Sequence, residues 1–130
     1  WKRTQADFEN YRKGEAERMG DLVRYEKEAM ILNLLDVLDS IYLAEKHIPE
    51  NIKKEQWIEG FLNIKKQMED LLKKEGIEEI KLAGNGFDPN FMETIGEAEG
   101  GESGKVAEEV QKGYIMDGKV IRPVKVKVTK

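Results

Sequence analysis

The stretch WKRTQADFENYRKGEAERMGDLVRYEKEAMILNLLDVLDSIYLAEK, residues 1–46, decides the fold. It holds no proline and no turn cluster, and it is dense in Glu, Lys, Arg, Ala, Leu and Met, which favour helix. At about 1.5 Å per residue, one uninterrupted helix of this length would extend roughly 69 Å. That is too long to fold back onto a core of 130 residues, so most of it must meet a partner outside its own domain. Phe8, Met19, Met30 and Ile41 stand eleven residues apart. Tyr11 and Leu22 repeat the step, and Val37 and Ala44 extend the stripe. An eleven-residue repeat, about 3.67 residues per turn, predicts a nearly straight helix pair with a slight right-handed wind. The expected self-association seam is Phe8, Tyr11, Met19, Leu22, Met30, Val37 and Ile41. It is a weak seam: Glu15, Glu26 and Asn33 fall at seam phases, and Gly14 and Gly20 each cost about 1 kcal/mol against alanine.

Outward from this helix the pattern changes twice. After Asp21 the apolar stripe widens through Leu32, Leu34, Leu35, Val37, Leu38, Ile41 and Tyr42, enough to face two neighbours in a bundle. HIPEN, residues 47–51, breaks the helix at Pro49. A second helix is predicted from Lys53 to Glu75, with Trp57, Phe61, Ile64, Met68, Leu71 and Leu72 at helical spacing and Gly76 as its left-handed stop. A helical hairpin with one wide apolar face cannot bury itself, whereas two copies make a four-helix bundle. From Ile77 the grammar is short strands and turns. IEEIKL and METIGEAE read as strands, GNGFDPN and GGESG as turn or loop, and Asp88-Pro89 as the cap and first position of one short turn. VAEEVQKGYIM and KVIRPVKVKV read as two strands joined at Asp117-Gly118, a two-residue hairpin signal. In the last strand Val120, Val124, Val126 and Val128 share a face that Arg122 interrupts, and Pro123 predicts an edge or a bulge.

Composition narrows the function. Hydrophobic residues make up 39% and charged residues 37% of the chain, a balance that fits long solvated helices better than a thick core. The net charge of -4 does not favour non-specific nucleic-acid binding. Arg12, Lys13 and Arg18 are interleaved with Glu9, Glu15 and Glu17. Lys125, Lys127 and Lys130 on one alternating strand read as protection of a sheet edge. There is no cysteine, which agrees with a reducing, cytoplasmic compartment and excludes thiolate metal sites. The chain opens on Trp1 without an initiator Met, so a further N-terminal segment is expected. No run reaches the 18 or so apolar residues of a membrane span, the richest being interrupted by Asn33, Asp36 and Asp39. Nothing resembles a catalytic constellation. The only His, His47, sits beside the helix break, no nucleophile lies beside a base, and the glycines match neither phosphate-binding pattern. No enzyme, cofactor or metal is expected.

FDPNFMETI, residues 87–95, followed by GYIMDGKVIRPVKVKV, residues 113–128, resembles the C-terminal signature of the GrpE family, the nucleotide exchange factors of DnaK-type chaperones. ADFENYRK, LNLLDVLDSIYLA and WIEGFLNIKKQMEDLLKKEGIEEI resemble the family's long helix and bundle helix, so the likeness covers nearly the whole chain. Thr94, where alanine is usual, and Met92, where a polar residue is common, depart from the pattern.

The resemblance implies an α+β homodimer: a parallel coil of long helices, a dimeric four-helix bundle over residues 1–76, and a small all-β wing domain over residues 77–130. It also implies a partner, the nucleotide-binding domain of a DnaK-type chaperone, whose cleft is opened so that ADP leaves and ATP rebinds. Carried over position by position, the chaperone contacts would be Arg12 and Lys13 on the long helix, Gly60 on the bundle helix, and Phe87, Val110 and Val128 on the wing. Val110 stands where methionine is frequent. Phe87 and Val128 could equally serve as wing core, and Arg12 and Lys13 as a solvated face. The family also implies heat sensing through melting of the long helices. A coiled-coil adaptor whose wing binds some other protein is the competing reading.

Overall fold

The computed structural model describes residues 1–82, 86–101 and 103–129. The expected GNG turn lies largely outside these residues, as do Glu102 of the GGESG loop and Lys130. Helix α1 spans Lys2–Lys46, 45 residues without a break. Contacts divide the chain into two units, Trp1–Leu34 and Leu35–Lys130.

The Trp1–Leu34 unit is helix almost to its first residue. Its local support includes ion pairs between residues three apart, Arg18–Glu15 at 2.7 Å and Arg24–Asp21. Exposed pairs of this kind contribute about 0.2–0.5 kcal/mol each. Phe8, Tyr11, Met19, Leu22 and Met30 are exposed, Met30 at 66%.

In the Leu35–Lys130 unit, the end of α1 turns back on helix α2, Gln56–Lys74. Pro49 opens a short 3-10 turn, Glu50–Ile52. The Glu55 N–H then donates to the Ile52 carbonyl at 3.0 Å. Because Glu55 itself is extended (φ -62, ψ 142), α2 starts three residues later than the predicted Lys53. It also ends one residue before the predicted Glu75. Gly76 at φ 79 stops it as expected, its N–H bonding to the Lys73 carbonyl at 3.1 Å. Leu35, Leu38, Ile58 and Leu72 are buried. Lys65 grips both carboxylate oxygens of Glu45 at 2.8 and 2.9 Å, and the Tyr42 hydroxyl donates to Glu69 at 2.9 Å, so polar bonds from α1 to α2 flank the apolar contact.

The rest of this unit is two three-stranded sheets. One is fully antiparallel in the order β1 (Ile77–Glu79), β4 (Tyr114–Met116), β5 (Lys119–Arg122). The other runs β2 (Met92–Ala98), β6 (Val124–Thr129), β3 (Val106–Gln111), with β2 parallel and β3 antiparallel to β6. Between them Ile80, Met92, Val124 and Val126 form a core that Leu82, Phe87, Val106, Ile115, Val120 and Val128 flank.

Three expectations need correction. VAEEVQKGYIM is two strands, because the chain changes sheets at Lys112-Gly113. KVIRPVKVKV is likewise split at Pro123, which cannot donate to a ladder and marks the passage from β5 to β6. The lysine-bearing strand protects no edge. β6 is paired on both sides, and Lys125 and Lys127 are half-buried on the face opposite fully buried Val124 and Val126. The Asp117-Gly118 hairpin forms as read, both residues at positive φ (51 and 80). Asp88 caps its turn through a 3.0 Å bond from the Asn90 N–H to its carboxylate.

Gly113 lies where the sheets cross. A Cβ there would stand 2.5 Å from the Val124 nitrogen and 2.8 Å from the Arg122 carbonyl oxygen, so only glycine lets the two backbone segments pass. The Ile80 N–H bonds to the Gly113 carbonyl at 2.9 Å, which fastens the crossing to the stretch after β1.

Candidate functional site

Among the described residues no three or more His, Cys, Asp or Glu side chains gather as a metal site, and no helix is long and apolar enough to cross a membrane. His47 is exposed at the end of α1, its N–H bonded to the Ala44 carbonyl at 3.1 Å.

The most organised polar cluster joins the end of α1 to the β sheets. Arg122 interrupts an apolar face, and an inward guanidinium must find partners or be very costly. It finds Asp39 in a two-pronged pairing, Nη1 to Oδ2 at 2.7 Å and Nη2 to Oδ1 at 2.8 Å. Its Nε and Nη2 also donate to the Lys112 carbonyl at 2.9 and 2.6 Å. Gln111 adds a 2.9 Å bond to Asp39. The two charged side chains are only 11% and 27% exposed. Breaking a fully buried pair costs about 3–5 kcal/mol, and the residual exposure of Asp39 brings this one toward the low end. Below it, Lys112 lies 4.4 Å over the Tyr42 ring and bonds Glu79 at 2.9 Å. Burial pushes the hydroxyls of Tyr42 and Tyr114 well above the ordinary tyrosine value of 10.0. The carboxylates of Glu69 at Tyr42 and Glu79 at Tyr114 push the same way. The Tyr114 hydroxyl is buried without a hydrogen-bond partner among the described residues.

Beside this cluster a groove of about 430 Å³ runs between the end of α1 and β3, with Asp39, Tyr42, Glu45, Lys46, Val110 and Lys112 in its wall. Val110, 42% exposed, and exposed Leu43 are the apolar side chains of its lining. The other expected contact residues fall elsewhere. Gly60 sits in the second turn of α2, with nothing within 4 Å of where a Cβ would be, so its surface is open to close approach. Phe87 and Val128 are half-buried and flank the core between the sheets. Arg12 and Lys13 are exposed in the Trp1–Leu34 unit, with Arg12 5.9 Å over the Phe8 ring. Within the Leu35–Lys130 unit, Val37 is exposed, Ile41 is half-buried, and Trp57, Ile64 and Leu71 on α2 are exposed, Trp57 at 61%. These α2 residues recur every seven positions and make one uncovered apolar edge.

Sequence reasoning missed the Asp39–Arg122 pair. Asp39 was legible only as a polar break in an apolar helix and Arg122 only as a break in an apolar strand. Two such breaks of opposite sign were the available signal.

A family model described as GrpE matches residues 1–130. The chain is similar to Protein GrpE of Geobacillus kaustophilus (strain HTA426), 37% identical over 129 residues that cover 98% of this chain and 61% of that protein. Against Protein GrpE of Bacillus subtilis (strain 168) the identity is 38% over 128 residues, 97% of this chain and 68% of the relative. Against that of Bacillus pumilus (strain SAFR-032) it is 37% over 128 residues, 97% and 69%. The chain thus spans between 61% and 69% of the length of these relatives. With a family model matched from the first residue to the last and three relatives above one-third identity over nearly all its length, the chain belongs to the GrpE family.

Proposed function

We propose that this chain is a co-chaperone that promotes nucleotide exchange on a DnaK-type chaperone. The observation that carries the reading is membership of the GrpE family over residues 1–130. The fold is compatible with it: the signature segments Phe87–Ile95 and Gly113–Val128 lie in one β region tied to the helical hairpin through Asp39 and Arg122. In this reading the region from residue 77 onward is a wing that presses on the chaperone's nucleotide-binding domain. Val110, Phe87 and Val128 act from the wing, Gly60 from α2, and Arg12 and Lys13 from the long helix.

No catalytic group is needed. An exchange factor has only to bind the open, nucleotide-poor chaperone better than the closed one. The coupling is reciprocal: a factor that weakens ADP binding a hundredfold is itself displaced by nucleotide a hundredfold, about 2.7 kcal/mol. The working form is a cytoplasmic homodimer. Exposed Phe8, Tyr11, Met19, Leu22, Met30 and Val37 supply the long-helix seam, with Ile41 at its end, and Trp57, Ile64 and Leu71 supply the bundle face. Melting of the long helices would lower exchange at heat-shock temperature.

The test is stopped-flow release of fluorescent ADP from a DnaK-type chaperone. A large, saturable acceleration is expected. Gly60→Asp, which the open space at Gly60 admits, is expected to stay folded and lose chaperone binding. Binding without acceleration would favour the adaptor reading, and unchanged binding of Gly60→Asp would remove Gly60 from the contact surface.

A further inference from the structure

We propose that Asp39 and Arg122 form a latch that positions the β wing on the helical hairpin, so that the wing delivers its push on the partner as a rigid lever. The inference rests on the exchange-factor reading and names residues outside its contact surface. Arg122 belongs to β5, Asp39 to α1, and Lys112 to the link between β3 and β4. One guanidinium therefore holds a helix, one sheet and the crossing to the other sheet at once, through four bonds of 2.6 to 2.9 Å. A planar fork held from both ends fixes an angle as well as a distance. A single apolar contact does not. Gln111, the last residue of β3, bonds the same Asp39 carboxylate, so the strand that carries Val110 is referenced directly to α1. Arg122 is almost buried and stands behind the groove, where it acts through the wing. It is a positioning residue.

Two substitutions loosen the latch while keeping its volume: Asp39→Asn removes the charge, and Arg122→Lys removes the fork. Each is compared with the unsubstituted chain in two measurements. The first is ADP release from a DnaK-type chaperone over a range of concentrations. The contact surface remains, so the half-saturating concentration is expected to shift less than threefold. The saturating release rate is expected to fall at least tenfold, because a wing that pivots transmits less of the push.

The second readout needs no chaperone. The chain has no cysteine, so Asn63→Cys on α2 and Ala107→Cys on β3 give two clean spin-label sites. Diluted with unlabelled protein, the unsubstituted chain is expected to give one narrow distance, and both latch variants a broadened one. Narrow distances in folded latch variants would overturn the latch, as would an unchanged saturating rate. If the unsubstituted chain fails to accelerate ADP release while the distances broaden as expected, the exchange reading falls and the latch stands as a conformational device only.

Discussion

Gly113 shows how much one atom can decide. A methyl group there would meet three backbone atoms between 2.5 and 2.8 Å away, none of them the yielding end of a flexible side chain. Overpacking of a built core typically costs about 1–3 kcal/mol, and a clash with the backbone of three consecutive residues, Arg122 to Val124, lies at or beyond the upper end. Gly113→Ala is therefore expected to lower stability by about 3 kcal/mol or more, read as a fall in denaturation midpoint, and to disturb β4 to β6 before the helices. A midpoint within the scatter of the unsubstituted chain would mean the crossing relaxes freely. The contrast with Gly60 is instructive. Both glycines belong to recognisable family segments, but Gly60 faces open space and Gly113 is enclosed, and nothing in sequence spacing separates the two cases. The same holds for Arg122. Its inward position could be read from the alternation of β5 and β6, whereas its partner, 83 residues away in sequence, could not.

At the scale of elements, local sequence signalling was a reliable guide to where helices run and where turns fall. α1, the stop of α2 at Gly76 and the Asp117-Gly118 hairpin all form as read. It failed where short strands change sheets, because Lys112-Gly113 and Pro123 interrupt the ladder without interrupting the apolar alternation that suggested one strand. The contact among α1, α2 and β4 makes a pH prediction. Tyr42 and Tyr114 have hydroxyl pKa values raised above 10.0, chiefly by burial. Above that pH the unfolded chain loses these protons while the folded chain keeps them. The folded state then binds more protons than the unfolded one, and stability falls as pH rises. Each tyrosine can contribute at most about 1.4 kcal/mol per pH unit, and half-buried Tyr42 contributes less than that limit. The fall should begin near pH 10 and be shallower in Tyr114→Phe, whose removal of an unpartnered hydroxyl should also leave stability at neutral pH unchanged or slightly higher. Equal slopes for the two proteins in urea midpoints measured from pH 8 to 11 would show that Tyr114 ionises freely in the folded state.

For the whole molecule the uneven distribution of burial matters most. The Leu35–Lys130 unit has its own core, while the Trp1–Leu34 unit is a helix with exposed apolar side chains, local ion pairs and two interior glycines. An isolated helix of that kind is marginal in water, and most of its stability must come from a partner surface. Two thermal transitions follow, a reversible loss of helicity at the lower temperature and cooperative loss of the sheets above it. Neither Gly14 nor Gly20 has any atom within 4 Å of a would-be Cβ, so alanine fits at both within the chain. Gly14→Ala with Gly20→Ala should add about 2 kcal/mol of helix stability per chain. That is expected to raise the first transition by roughly 8–16 °C or more and leave the second unmoved. Circular dichroism at 222 nm against temperature, repeated at two protein concentrations, reads both transitions. A first midpoint that also rises with concentration places the pairing of chains in that step. If the double variant left the first midpoint where it was, the glycine-bearing stretch of α1 would not be what melts in that step.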